Sequence, residues 1–490
     1  MKRSRGRVRS IQLSPVARTH EGGVMEEHSL DHAVEFFSKA GSLFVDSGTF
    51  YGKEEKAITL FKKVWITEPE TAMRLLMWVR DCRGGAGNRS GARECAHWLA
   101  DYAPKWVAAN IGWFPLVGRW DDMRAFFGTK AEKEAVQLWV EALRKKDVLA
   151  AKWADRSDKP LRFAMDLKVG DFRRFLAKLR KDHIVEHIMC NDDWEKIVYD
   201  HVPSVAMARY TKAFGKKDAE RFQAYKEALK KGIAKIHADV LFPHDCIRTF
   251  KSGDKDIAEA QFWALPNFME GTNEKIIVIC DTSGSMEAPI AAKSSVQRVD
   301  VSQGLALYCS SRLPEKNPFY KKFIGFESES EFKNWEKMTF KQAMQSRKIF
   351  DGACGGTRID TALDLILKTA QFFKLGDEHM PTTLLIASDM QFHQGTGNYS
   401  YIRDETDDKT ATEIEKAMRR WDAAGYKRPK IVYWNLAGYA GQPDTVLSKN
   451  VAFISGFSPS VMKAVLSGDD FSPRAVMMRA LEKYNIVVPE

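Results

Sequence analysis

The chain lacks several features that would have classified it at once. It has no CxxC pair. Its seven cysteines (Cys82, Cys95, Cys190, Cys246, Cys280, Cys309 and Cys354) are odd in number and scattered. That argues against a disulfide framework and points to reduced, mostly buried thiols of an intracellular, cytoplasmic protein. No window approaches about 18 uninterrupted apolar residues, so no membrane span is expected. The basic start, MKRSRGRVRS, is followed by no apolar run, which argues against a secretory signal. Residues 1–30 read as a disordered basic arm. The phosphate loop G-x-x-x-x-G-K-[ST] is absent, so nucleotide hydrolysis is not expected.

What is present is the composition of a globular chain of two or three domains: 490 residues, 44% hydrophobic and 29% charged. The net charge of +10 is unevenly placed. Residues 1–270 hold 47 Lys+Arg against 38 Asp+Glu, and the remainder is almost neutral. A basic excess confined to one half suggests a polyanionic partner, most often nucleic acid; solubility is the plainer reading.

Between 31 and 270 the apolar period is helical. DFRRFLAKLRK puts Phe172, Phe175, Leu176 and Leu179 on one face, and AVQLWVEALRKK repeats the design with Val136, Trp139, Val140 and Leu143. Further helices are expected near 71–80, 92–101, 204–214 and 218–237. Many short-linked helices imply a stacked array of solenoid type without a strict repeat.

From 271 to 490 short apolar runs alternate with amphipathic segments. Strands are expected at 275–280, 321–326, 382–388, 430–436 and 451–455. Helices are expected at 295–312, 358–373 and 411–424, with two more closing the chain. This alternation implies a doubly wound α/β unit with a parallel sheet covered on both faces. Ligands of such sheets sit at the carboxyl ends of the strands.

One such end reads IIVICDTSGSM, a buried strand running into Asp281, Ser283 and Ser285. A nucleophilic serine would need a nearby base, and residues 271–490 contain only His379 and His393; the loop is also not G-x-S-x-G. An anion site is disfavoured by the carboxylate. A hard divalent cation suits the oxygens better. CGGTRID adds Thr357 after a glycine turn, and LLIASDM adds Asp389 at another strand end. The plainer alternative is that these groups cap the loop and the following helix.

The set Asp281, Ser283, Ser285, Thr357 and Asp389 resembles the metal-ion-dependent adhesion site (MIDAS) of von Willebrand factor A domains. The resemblance implies a bound Mg²⁺ (or Mn²⁺ or Ca²⁺) that leaves a position open for an acidic group of a protein partner and does no catalysis. An A domain after a basic helical half is similar to the Ro autoantigen class of RNA-binding proteins, the TROVE module. SGTFYGKEEKA, HIVEHIMCNDDWEKIVYDHVPSVAMARYTKAF, GGTRIDTALDLIL and FISGFSPSVMKAV carry that likeness. It implies a HEAT-like helical array, a ring or arc, closed by the A domain, and non-enzymatic binding of small structured or single-stranded RNA as a ribonucleoprotein. The expected RNA contacts are Lys53, Arg83, Arg89, Arg209, Lys212, Lys216 and Lys217. Arg83 and Arg89 flank RGGAGNR, a glycine turn whose amides could meet a phosphate. The rival expectation is a protein-interaction scaffold that grips an acidic partner through the metal.

Three further motifs carry weaker readings. HIVEH (183–187) matches H-x-x-E-H, with histidines at i, i+4 but no third zinc ligand in view. Asp121 and Asp122 precede a helix, where capping and the dipole explain them. DETDDKT (404–410) is an acidic cluster in a long loop after Asp389.

Overall fold

The structure, a computed structural model, describes residues 16–18, 24–26, 30–40, 57–290, 296–349, 355–392, 412–437, 450–467 and 470–490. The principal helices of the first half are α1 (His32–Ala40), α2 (Ala57–Thr67), α3 (Pro69–Arg80), α4 (Arg89–Tyr102), α5 (Glu132–Arg144), α6 (Val169–Arg180), α7 (Ser204–Lys217), α8 (Ala219–Lys230), α9 (Pro243–Ser252) and α10 (Lys255–Ala264). Shorter helical segments join them. On α5 the predicted stripe Val136, Trp139, Val140 and Leu143 is buried. On α6 Phe172 and Leu176 are buried and Phe175 and Leu179 are partly so. The helix expected over 218–237 stops at Lys230, because Gly232 adopts φ +69°, a left-handed stop that a helix cannot pass. Two three-residue strands, Val16–Arg18 and Val24–Glu26, pair antiparallel within the stretch expected to be a disordered arm.

The second half is built on six strands: β1 (Ile276–Asp281), β2 (Lys322–Phe326), β3 (Ser330–Asn334), β4 (Thr383–Ser388), β5 (Lys430–Asn435) and β6 (Val451–Ser455). Their order is β3-β2-β1-β4-β5-β6. All neighbours are parallel except β2 and β3, which form an antiparallel pair. The sheet is therefore mixed, not wholly parallel as expected. The edge strand SEFKN has one apolar residue among four polar or charged ones and buries none fully, so it lacks the apolar run that reveals the others. Helices α11 (Arg298–Ser311), α12 (Ile359–Phe372), α13 (Glu413–Ala423) and α14 (Pro473–Leu481) accompany the strands.

The chain leaves β1 toward β2 on one side, and enters β4 on the other. The order thus reverses between β1 and β4, and the connections part there to leave a crevice at the carboxyl edge. Every residue of β1 and of β4 is buried.

The halves share one hydrophobic core; a second cluster gathers around α7 and α8. Helix α1 lies on β6, α5 follows the same core, and the Ser455 hydroxyl donates to the Phe37 carbonyl at 2.7 Å. Buried Tyr484 donates to Asp81 Oδ2 at 2.8 Å, and Lys483 Nζ lies 2.7 Å from the same oxygen. Asn110 and Val487 exchange two hydrogen bonds of 2.8 Å. At the other end of the helical half, α9 packs on α11 so closely that a Cβ on Gly304 would stand 3.2 Å from the His244 amide nitrogen. The six described cysteines are free thiols. Among the described residues no helix is long and apolar enough to cross a membrane.

His244 marks this seam. It is buried between Phe242 and Phe457, and its Nδ1 has no hydrogen-bond partner among the described residues. Burial depresses its pKa below the ordinary 6.5; Asp245 and Asp300 oppose the shift and Arg248 adds to it. The folded state then refuses a proton that the unfolded chain accepts. Stability is therefore full above pH 6.5 and declines as pH falls below it. His244→Phe should flatten that acid limb in thermal melts between about pH 6.5 and 5; an unchanged limb would show that His244 does not set it.

Candidate metal centre

β1 ends in Asp281 and β4 is followed by Asp389, on either side of the crevice where the strand order reverses. Both carboxylates are fully buried. Asp281 Oδ1 accepts the Ser283 amide at 2.9 Å, and its Oδ2 accepts the Ser388 hydroxyl. This turns the chain back over the strand end and brings Ser283 Oγ to 3.2 Å from Ser285 Oγ. Ser283 is buried and Ser285 is exposed.

The glycine turn before Thr357 is stitched to the same edge. Gly284 donates its amide to the Gly355 carbonyl at 3.0 Å, and Gly356 donates to Ser328 Oγ at 2.9 Å. Gly355 sits at φ +67°, and a Cβ there would be 2.7 Å from Ser328 Oγ, so both conformation and space require glycine. Thr357 itself is buried. The structure thus gathers all five predicted positions at one sheet edge, by three loops that hydrogen bonds tie together.

The electrostatics of this edge are unfavourable without a cation. Burial first, and then the charge of Asp389, push the Asp281 carboxyl up to about 7, against the hydrogen bonds from Ser283 and Ser388. Among the described residues Asp389 has a buried positive neighbour in Arg298, the first residue of α11, 7% exposed, with Nη1 3.7 Å from Asp389 Oδ2. Asp389 Oδ1 also accepts the Gln391 amide at 3.1 Å. Two carboxylates and three hydroxyls, all hard oxygens with one side facing solvent at Gly284 and Ser285, fit a divalent cation of the Mg²⁺ type. Such an ion would share Asp389 with Arg298. Among the described residues there is no metal-holding group of three or more His, Cys, Asp or Glu; this donor set has two carboxylates.

Sequence reasoning missed Ser388 and Arg298. Ser388 precedes Asp389 inside LLIASDM, so its neighbour was a visible signal. Arg298 lies in SVQRVDV, and nothing local distinguishes it from a surface arginine.

The expected RNA contacts fall into three places. Arg209, Lys212 and Lys216 share one exposed face of α7. Among the described residues no carboxylate pairs with these three, whereas neighbouring Lys217 lies 3.8 Å from Asp192. Arg83 and Arg89 are exposed on either side of the glycine turn, and Arg83 stands 3.7 Å from Asp239. Lys53 lies outside the described residues, as does DETDDKT. The amides of the glycine turn are not open to phosphate: Asp81 Oδ1 accepts those of Arg83 and Gly84, each at 2.9 Å, and the Asp81 carbonyl accepts that of Gly85 at 3.2 Å. A carboxylate of the chain fills the nest that was expected to bind an anion.

HIVEH does not form a two-histidine helix face. His183 lies in a turn, the helix begins at Val185, and Glu186 pairs with Lys152 at 3.3 Å. Asp122 does cap its short helix by accepting the Arg119 amide at 2.8 Å, but both Asp121 and Asp122 are chiefly held by arginines.

Residues 275–485 match a family model described as a domain of unknown function, DUF7788, and residues 19–127 and 167–277 match one described as a domain of unknown function, DUF2828. The two matches meet at the start of β1. An uncharacterized protein of Acanthamoeba polyphaga mimivirus is 24% identical over 491 residues, spanning 87% of this chain and 82% of its own. The likeness to that viral protein therefore runs through both halves.

Asp281→Asn removes one of the two facing charges while keeping hydrogen-bond capacity. The variant should melt no lower than the wild type without metal. Mn²⁺ at a hundred times its Kd should stabilise the wild type by about 2.7 kcal/mol and leave the variant unmoved. Equal Mn²⁺ stabilisation of both proteins would remove Asp281 from the ligand set.

Proposed function

We propose that this chain is a non-enzymatic RNA-binding protein of ribonucleoprotein type. Its helical half carries RNA on a cationic face, and its α/β half holds Mg²⁺ or a similar ion at Asp281, Ser283, Ser285, Thr357 and Asp389. The observation that carries the reading is the α7 face. Arg209, Lys212 and Lys216 follow each other at i, i+3 and i+7 and stand exposed. Nearby cations are paired: Lys196 with Asp193, Arg221 with Asp218, Lys226 with Asp254. A row of cations left without counter-charges beside neighbours that have them suits a phosphate backbone.

The architecture supports the likeness to the Ro class. A doubly wound sheet of order β3-β2-β1-β4-β5-β6, with the five oxygens near its switch point, is compatible with a von Willebrand factor A domain; the antiparallel edge strand was not part of that expectation. Both ends of the helical half rest on the sheet half, α1 on β6 and α9 on α11. The turn before α4 also meets the start of α9, since a Cβ on Gly87 would stand 2.8 Å from the Phe242 ring. A helical array that returns to its own beginning supports a closed ring of HEAT-like type over an open arc.

A second reading has its own support. Four of the five donors are buried, and only Ser285 reaches the surface. A cation held from beneath and open on one side suits capture of a partner's carboxylate, the protein-scaffold alternative.

The double variant Arg209→Glu/Lys212→Glu decides for or against the α7 face. Affinity for single-stranded RNA should fall by at least tenfold, and the slope of log K against log salt should become shallower by about two, one per lost phosphate contact. Unchanged affinity and slope would count against this face. Wild-type protein that binds no RNA while capturing a carboxylate-bearing partner only in Mg²⁺ would favour the second reading.

A further inference from the structure

Three arginines meet two aspartates where α3, α4 and the short helix Trp120–Phe126 come together, and a fourth shares a face of α4 with one of them. Arg80, at the end of α3, donates from Nε to Asp122 Oδ2 at 2.7 Å. Arg93 of α4 reaches both acids, with Nε 2.7 Å from Asp122 Oδ1 and Nη2 2.9 Å from Asp121 Oδ2. Arg119 grips Asp121 with two bonds, Nε to Oδ1 at 3.0 Å and Nη2 to Oδ2 at 2.9 Å. The approach is tight: a Cβ on Gly118 would lie 2.2 Å from Asp122 Oδ2 and 2.7 Å from Arg80 Nε. Three guanidiniums already occupy every carboxylate oxygen.

Arg89 is the fourth, and it is the one that stability does not ask for. It is the first residue of α4 and lies one turn before Arg93, so the i, i+4 relation puts the two on the same helix face. It is exposed, and no described carboxylate pairs with it. The cluster therefore holds four positive charges against two negative ones. A cation at the start of a helix also opposes the helix dipole. Desolvation, together with the charges of Arg119, Arg93 and Arg80, holds the Arg89 guanidinium below its ordinary pKa, against Asp121. Arg93 and Arg119 keep about a third of their side chains exposed, at 31% and 29%, so neither is sealed from solvent. Arg119 is also stacked 4.0 Å over the ring of Trp153.

We propose that Arg89, Arg93 and Arg119 form a clamp for one phosphate of an RNA backbone, with Asp121 and Asp122 fixing two of the three guanidiniums from below. The assignment of RNA as the source of the phosphate rests on the function proposed above. Planar guanidiniums whose inner edges are tied down present their remaining N–H groups in fixed directions, the arrangement that suits a phosphate's several oxygens. An anion there would neutralise the surplus charge that Arg89 creates.

The test uses the full chain, Arg89→Gln and Arg89→Lys, a labelled single-stranded oligouridine and, separately, inorganic phosphate. Arg89→Gln should melt at the same temperature as the wild type or higher without ligand, because it removes a like charge. Its oligouridine affinity should fall roughly tenfold or more. Its salt slope should become shallower by about one, and Arg89→Lys should recover part of the loss. A lower melting temperature with unchanged RNA affinity would make Arg89 a structural residue and overturn the clamp. If the wild type binds oligouridine, Arg209→Glu/Lys212→Glu does not, and Arg89→Gln binds as the wild type does, the RNA reading stands and the clamp falls. If the wild type binds no RNA but inorganic phosphate raises its melting temperature and not that of Arg89→Gln, the clamp stands as a phosphate site and the RNA reading falls.

Discussion

The segment Ile276–Asp281 has no residue that faces water, and its two neighbours in the sheet run parallel to it. A strand of this kind must be covered on both faces, and the parallel connections that place its neighbours must travel over those faces to return. Much of the molecule follows from that demand. Helix α11 covers the strands directly, and α9 of the helical half packs outside α11. At the far edge α1 covers β6. The helical half is thus part of the roofing of the sheet, and the shared core is the result. Because the order reverses beside this strand, its carboxyl end lies at the switch point, and its last residue, still buried, is the aspartate on which the candidate metal centre is built.

The two charged clusters of the molecule mirror each other. At the sheet edge, two buried carboxylates face each other with a nearby arginine and solvent on one side. Between α3 and α4, four guanidiniums surround two carboxylates. In each place the surplus is of one sign, and all the groups but Arg89 are held by hydrogen bonds to backbone or by ion pairs. Elsewhere the chain neutralises such crowding: Lys39 with Glu35 inside α1, at 2.6 Å, is a buried pair with no surplus. Asp81 accepts two amides, Lys483 and Tyr484; against its burial, the Lys483 ammonium and the Gly84 and Arg83 amides hold its carboxyl below the ordinary range. Surplus charge held among buried or half-buried groups sets these two places apart from such neutral pairs.

Much of this was legible in the sequence, for identifiable reasons. The strands β1, β2, β4, β5 and β6 are short apolar runs because they are buried on both faces, and the amphipathic stripes of α5 and α6 survive because one face of each stays wet. Four of the five candidate donors follow a strand end or a glycine turn, and the switch point brings such ends together, so their placement at one edge could be read from spacing. What was not legible depends on partners far along the chain. Strand β3 forms only because β2 offers it an edge. Whether the amides of the glycine turn were open depended on a carboxylate two residues earlier. Arg298 became a neighbour of Asp389 through packing, across some ninety residues of chain, and no local pattern records that. Of the arginine cluster only Arg89, Asp121 and Asp122 were read, each singly, since Arg80, Arg93 and Arg119 come from three separate elements.

The tail of the chain carries a consequence for how the molecule is made. Asp31, Glu68, Asp81 and Asn110 belong to the opening helices, yet their partners are Arg474, Lys483, Tyr484 and Val487. A ribosome delivers those partners 377 to 443 residues later. During synthesis the early helices must wait with their docking faces uncovered, α1 among them, whose surface is matched to a strand that does not yet exist. Contacts this distant in sequence are slow to close and leave apolar surface exposed in the interval. Birth of this protein is therefore a long vigil by its first helices for its last, and protection over that interval is a requirement that the finished fold conceals.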